Sequence, residues 1–214
     1  MADIDFYTIP MSRGAIVRWA LHEVGADYQH HIVDAAKGPG ADLLALNPMG
    51  KVPTIVHHAA DGDHVVTEAA AICTYLAEIY PDAGLAPTEA ERADYYRWMY
   101  FGAGPFESAI MVLNTGFVAE EGQEKSLGYG TVDRVLSAVD GLLSGRDYVC
   151  GDRFTMADVY LCSQISVTTM MGILPATEAM KAYVARCEVR PALAEARGID
   201  FAEFEKQQAA QSET

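Results

Sequence analysis

Basic residues are scarce in this chain, with 15 Lys and Arg against 30 Asp and Glu, for a formal net charge of −15. No Lys/Arg stripe is dense enough to track a phosphate backbone, so nucleic acid is not an expected partner. Cysteine is also thin. Cys73, Cys150, Cys162 and Cys187 stand far apart, with no C-x-x-C and no Cys or His at metal-ligand spacing. Neither a disulfide framework nor a metal is expected, and a reducing cytoplasm fits. No apolar run approaches the roughly 20 residues of a membrane span, and MADIDFY carries acids where a secretory leader has basic residues. The chain therefore reads as neither secreted nor membrane-bound. What it does have is apolar mass: 50% of 214 residues, enough to bury a sizeable core in one large or two modest domains.

Periodicity divides the chain. DIDFYTI (3–9) alternates as a strand, GAIVRWALHEVG (14–25) sets Ile16, Trp19, Ala20 and Val24 on one helical face, and YQHHIV (28–33) returns as a strand. This is a β-α-β unit whose short crossover predicts parallel neighbours. ADLLAL follows as a short helix, TIVHH and HVVTE as strands about Asp61-Gly62, and EAAAICTYLAEIY as a helix, giving β-β-α. Pro81, Gly84 and Pro87 then break the pattern, and helical periodicity dominates afterwards. The expected organisation is an α/β domain over 1–80, a linker over 81–87 and an all-α domain over 88–214. Its helices are expected at 89–101, 130–143, 156–171, 178–187 and 191–197, with a frayed polar tail after 204.

Four stretches carry chemistry or its scaffolding. Pro53 interrupts the β-branched run of MGKVPTIV and cannot donate to a sheet ladder. In TEAAAI, Glu68 and Ala69 stand where a strand gives way to a helix, and free amides plus the helix dipole suit an anion there; Glu68 equally suits a helix N-terminus as a plain acid. In YTIPMSRGAIVRW, Ser12 directly precedes the first helix and could serve simply as its cap. Thr155 and Asp158 in FTMADVYL form an S/T-x-x-acid capping pattern, a structural feature. The neighbours His30/His31 and His57/His58 point to opposite faces of their strands, which speaks against a metal and for solvent-facing or strand-end positions.

In order and spacing, NPMGKVPTI, TEAAAICTYL, the proline-containing linker, the helical half and GDRFTMADVYL resemble the cytosolic glutathione S-transferases from about residue 3 to 197. The resemblance is to bacterial-type members with serine in the first-strand turn. It implies a thioredoxin-like first domain that binds glutathione, and a helical second domain that contributes the electrophile pocket. It implies a cis Val52-Pro53 bond, with the Val52 N–H and C=O free to pair with the cysteinyl part of glutathione, itself a peptide. The γ-glutamyl carboxylate would meet the amides at Ala69, and Glu68 its ammonium. The family pattern has Ser where Ala69 stands; a hydrogen bond to a charged group is worth about 1.5–3 kcal/mol, so affinity could fall roughly tenfold to a hundredfold. Lys51 would reach the glycyl carboxylate.

The resemblance also implies a hydroxyl directed at the thiol, here Ser12, with Tyr7 and Thr8 as competitors. A thiol of pKa near 8.5 is only about 3% thiolate at pH 7, and lowering it by about two units takes roughly 2.7 kcal/mol. One hydroxyl donor and the positive end of a helix supply that order of energy. With serine rather than cysteine in the turn, conjugation to small apolar electrophiles, or glutathione-dependent peroxide reduction, is expected over disulfide exchange. Among Tyr95, Tyr96, Trp98, Met99, Phe101, Phe106, Met111 and Phe117, two or three should face the electrophile. The family implies a homodimer and glutathione as co-substrate. The alternative is a binding module of the same fold that has lost catalysis.

Overall fold

Alternation sets the first strand: Ile4, Phe6 and Thr8 are fully buried, while Asp5 and Tyr7 between them are partly exposed. In the computed structural model, which describes residues 2–212, this is β1 (Ile4–Thr8). It is followed by α1 (Gly14–Val24), β2 (Tyr28–Ile32), α2 (Ala41–Leu46), β3 (Thr54–Ala59), β4 (Gly62–Thr67) and α3 (Ala69–Ile79). The sheet order is β2-β1-β3-β4; β1 and β2 are parallel, and β3 runs antiparallel to both β1 and β4. α1 packs on α3. Val17, Ala20 and Leu21 of α1, with Ile72, Cys73 and Leu76 of α3, are fully buried. Each large apolar side chain so removed from water contributes on the order of 1.5–3 kcal/mol.

By its contacts the chain divides into two compact units: residues 2–84 together with 189–212, and Leu85–Glu188. The last helix, α9 (Pro191–Ser212), thus goes with the α/β unit, which corrects the assignment of 88–214 to one helical domain. The cause is a narrow stripe. Leu193, Ala196 and Asp200 are buried at helical spacing, and α9 packs along α1. Arg18, a guanidinium on the inward face of α1, is fully buried and its Nε donates to Asp200 Oδ1 at 2.8 Å. Its Nη1 donates to the Tyr28 hydroxyl at 3.1 Å and meets His30 Nδ1 at 3.2 Å, and the group lies over the Phe6 ring. Burial and the Arg18 charge lower the pKa of His30, as an imidazole accepting from a guanidinium requires. Glu23 accepts both Arg190, bidentately at 2.5 and 2.6 Å, and the Trp19 indole at 2.8 Å. The tail expected to fray stays helical to Ser212; Glu213 and Thr214 lie outside the described residues.

The second unit holds α4 (Arg92–Phe101), α5 (Glu107–Thr115), α6 (Val132–Ser144), α7 (Met156–Met170) and α8 (Glu178–Glu188). α5 is not among the helices expected from the sequence. A π-turn, Gly102–Phe106, joins α4 to α5 and admits Pro105, which has no N–H to give and would crowd a regular turn. Gly102 suits the close approach there: a Cβ would stand 3.1 Å from Tyr160 Cε1 of α7. α7 is the central helix, buried continuously from Met156 to Cys162. Its Asp158 accepts the amides of Thr155 and Val149, both at 2.8 Å, and the hydroxyls of Thr155 and Tyr183, both at 3.0 Å. The capping box is present as the sequence indicates. Before α7, Tyr148 and Gly151 form an isolated β-bridge.

Candidate active site

Register brings the motifs together. Tyr7 pairs with Thr54, and Thr54 with Thr67, so the end of β1, the start of β3 and the end of β4 share one end of the sheet. The β1–α1 turn, the Val52-Pro53 segment and the start of α3, far apart in sequence, leave the sheet at that end.

The β1–α1 turn is tight. Met11 has φ 58°, and Gly14 sits so close to Thr8 that a Cβ would fall 1.9 Å from its Oγ1. Ser12, half-buried, donates its hydroxyl to the Ile9 carbonyl at 2.6 Å and accepts the Gly14 amide at 3.0 Å. It thus does serve the start of α1, while remaining the reachable hydroxyl of the turn. Thr8 is fully buried. Tyr7 points to the outward sheet face, where it stacks on His31 at 4.6 Å; burial and the nearby Asp5 and Asp42 charges raise its pKa.

The Val52-Pro53 bond is cis, as the resemblance implies. The backbone N–H and C=O of Val52 have no hydrogen-bond partner among the described residues. The loop before them is braced from beneath by Asn47, 5% exposed, whose amide donates to the Lys51 carbonyl at 3.0 Å and to Thr54 Oγ1 at 3.2 Å. The Thr54 hydroxyl donates to the same Lys51 carbonyl at 3.0 Å. The Lys51 side chain itself is exposed.

Glu68 has φ 67° and ψ 117°, a conformation that costs a side-chain-bearing residue about 1–3 kcal/mol. Met11 and Glu68 are the two non-glycine residues with positive φ among the described residues, and both lie at this end of the sheet. After Glu68 the chain turns at once into α3, whose first intrahelical bond is Ile72 N–H to the Glu68 carbonyl at 2.9 Å. The amides of Ala69, Ala70 and Ala71 precede that bond and have no backbone acceptor. The arrangement offers two stretches of unpaired backbone, a carboxylate, an ammonium and a hydroxyl at the rim of one sheet, the groups that hold an anionic peptide.

Residues 12–79 match the family model for the glutathione S-transferase N-terminal domain, and 108–191 that for the C-terminal domain. Glutathione S-transferase GstA of Escherichia coli O157:H7 is 30% identical over 182 residues, 82% of this chain and 88% of that protein. The chain belongs to the glutathione S-transferase family. Glutathione S-transferase 3 of Zea mays is 29% identical over 90% of the chain and 92% of its own length. A sphingomonad glutathione S-transferase solved in complex with glutathione superposes with a TM-score of 0.72 at 30% identity, covering 92% of this chain and 98% of that one.

Two residues that shape this end of the sheet were not singled out from the sequence. Gly14 was read only as the start of a helix, and Asn47 only as the first residue of NPMGKVPTI, although an Asn-Pro step is a turn signal. The histidines are part-exposed or exposed, as expected of solvent-facing or strand-end positions, and they are hydrogen-bonded there. His31 and His58 take the two oxygens of Asp5 at 2.9 and 3.1 Å, His57 meets the Tyr75 hydroxyl at 2.8 Å, and His64 meets Asp61 at 2.8 Å. Those hydrogen bonds lower the pKa of Asp5 against the effect of its partial burial. Among the described residues no group of three or more His, Cys, Asp or Glu could hold a metal ion, and no helix is long and apolar enough to cross a membrane.

Proposed function

We propose that this family member is a serine-type transferase in which Ser12 ionises the glutathione thiol for attack on small apolar electrophiles. The observation that carries the reading is the convergence, at one end of the sheet, of the half-buried Ser12 hydroxyl with two segments of unpaired backbone. The cysteinyl backbone of glutathione pairs with Val52 beside Pro53. The γ-glutamyl carboxylate takes the open amides at Ala69, and Glu68 its ammonium. Lys51 receives the glycyl carboxylate.

Ser12 then turns its O–H toward the sulfur as a donor, without losing the proton. The thiolate displaces a leaving group, or adds to an activated double bond, and a thioether forms. The same thiolate reduces peroxides as a side activity. The helical unit supplies the electrophile pocket. Tyr95, Trp98, Met99 and Phe106 are buried and form its core, which leaves Tyr96 and Phe101, part-buried, and Met111 and Phe117, exposed, as the candidates to meet a ligand. The protein works as a cytoplasmic homodimer, and sedimentation at micromolar concentration tests that point.

The deciding experiment titrates the ultraviolet thiolate absorbance of glutathione bound to the protein from about pH 5 to 9. A midpoint well below about 8.5 is expected, with Ser12→Ala returning most of the shift and leaving affinity little changed. A bound thiol that titrates like the free one would refute the reading.

A further inference from the structure

Ser12 cannot serve the sulfur without first giving something up. Its hydroxyl proton is committed to the Ile9 carbonyl at 2.6 Å, so a hydroxyl that turns to a thiolate leaves that carbonyl without its donor. A second hydroxyl stands by. Thr8 Oγ1 points at the same carbonyl oxygen from 3.4 Å, too far for a strong bond, and its side chain is fully buried beside the turn. Meanwhile the Gly14 amide donates into the Ser12 oxygen at 3.0 Å and would go on doing so wherever the proton points.

Resting on the assignment of Ser12 above, we propose that Thr8 and Gly14 are positioning residues of a hydrogen-bond exchange in the β1–α1 turn. When glutathione binds, the Ser12 O–H swings from the Ile9 carbonyl to the sulfur while the oxygen stays fixed by the Gly14 amide. The Thr8 hydroxyl closes on the Ile9 carbonyl and replaces the lost donor. Only an O–H bond rotates and one contact shortens by a few tenths of an ångström. No covalent bond to hydrogen breaks at Ser12.

Each part has a physical reason. A carbonyl left without a donor in a part-buried turn carries a desolvation cost, which would be charged against the thiolate state and raise the thiol pKa. A hydroxyl oxygen that accepts an N–H is polarised into a better donor, so the Gly14 amide strengthens what Ser12 offers the sulfur. Gly14 must also lack a side chain, because a Cβ would lie 1.9 Å from Thr8 Oγ1 and 3.2 Å from Ser12 Oγ, displacing the waiting hydroxyl. Thr8, read from the sequence as a competitor for the sulfur, is given a role one step removed from it.

The test is the same thiolate titration on wild type, Thr8→Val, Thr8→Ser, Ser12→Ala and the double variant Thr8→Val/Ser12→Ala. Binding of S-methylglutathione, which has no ionisable thiol, reports an intact site; if Thr8→Val does not fold, Thr8→Ala takes its place. Thr8→Val should raise the bound-thiol midpoint by about half to one pH unit, Thr8→Ser should restore it, and Thr8→Val should add nothing once Ser12 is gone. A Thr8→Val midpoint equal to wild type, or the same rise in the Ser12→Ala background, overturns the exchange while leaving Ser12 as the thiol's donor. A wild-type midpoint at the free-thiol value overturns both.

Discussion

Replacing Asp200 with alanine tests how the last helix is held to the helix that opens at the active-site turn. Arg18 has a side-chain exposure of 0% and Asp200 of 5%, and their contact is 2.8 Å. Without the carboxylate, Arg18 keeps the Tyr28 hydroxyl, the His30 ring nitrogen and the face of Phe6, all neutral. Its Nη2 already has no partner among the described residues. A buried charge left unpaired in this way costs about 3–5 kcal/mol, a large share of the roughly 5–15 kcal/mol that hold a folded protein together. At about 2–4 °C per kcal/mol for a chain of this size, the melting temperature should fall by roughly 6–20 °C. Urea unfolding followed by circular dichroism measures the free energy directly. Replacing both partners by apolar residues, Arg18→Met with Asp200→Leu, should recover most of the loss, because neither charge then has to be desolvated. An Asp200→Ala variant within about 1 kcal/mol of wild type, or a double variant no better than the single one, would refute the view that this pair clamps α9 to α1.

Glu68→Ala should weaken glutathione binding by roughly tenfold to a hundredfold, the worth of one hydrogen bond to a charged group, as read by calorimetry. Glu68→Gly should bind as weakly yet be more stable than Glu68→Ala by about 1 kcal/mol or more, since glycine adopts φ 67° without cost; equal stability would argue against strain at this position. Ala69→Ser should tighten glutathione by about tenfold through the added hydroxyl, and no change would mean that another group already does that work. Burial pushes the Asp158 carboxyl up to about 6 from 3.8 despite its four donors. Between those pH values the folded state keeps a proton that the unfolded chain has released, so stability from this group is full below about pH 4 and is lost as pH rises through 6. Relative to Asp158→Asn, the wild type should therefore lose on the order of 3 kcal/mol between pH 4 and 7 in urea titrations, and parallel curves would contradict this.

Much of this was legible in the chain because it is local. Period-two alternation marks β1, period-3.6 spacing marks α1 and α7, and Thr155 with Asp158 marks a cap, each within a few residues. Ser12, Val52, Pro53, Glu68 and Ala69 were singled out because the motifs that hold them resemble those of the glutathione S-transferases, and each of those motifs stands where a strand meets a turn or helix. Three features were not local and were not found. Helix α5 follows a π-turn at Gly102–Phe106, where Tyr160, some sixty residues on, lies close to Gly102. Helix α9 left the helical half because Asp200 answers a guanidinium on α1, a pairing that no window of sequence contains. The hydroxyl geometry at Ser12, Thr8 and Ile9 depends on a glycine so close to a strand end that any Cβ on it would overlap the Thr8 hydroxyl. The sequence by itself determined which segments are strands and helices and where backbone groups stay unpaired, since propensity, periodicity and turn chemistry act over short spans. Only the tertiary structure decided which of those segments meet and what state their hydroxyls and charges adopt, because register and burial join residues that the chain keeps far apart.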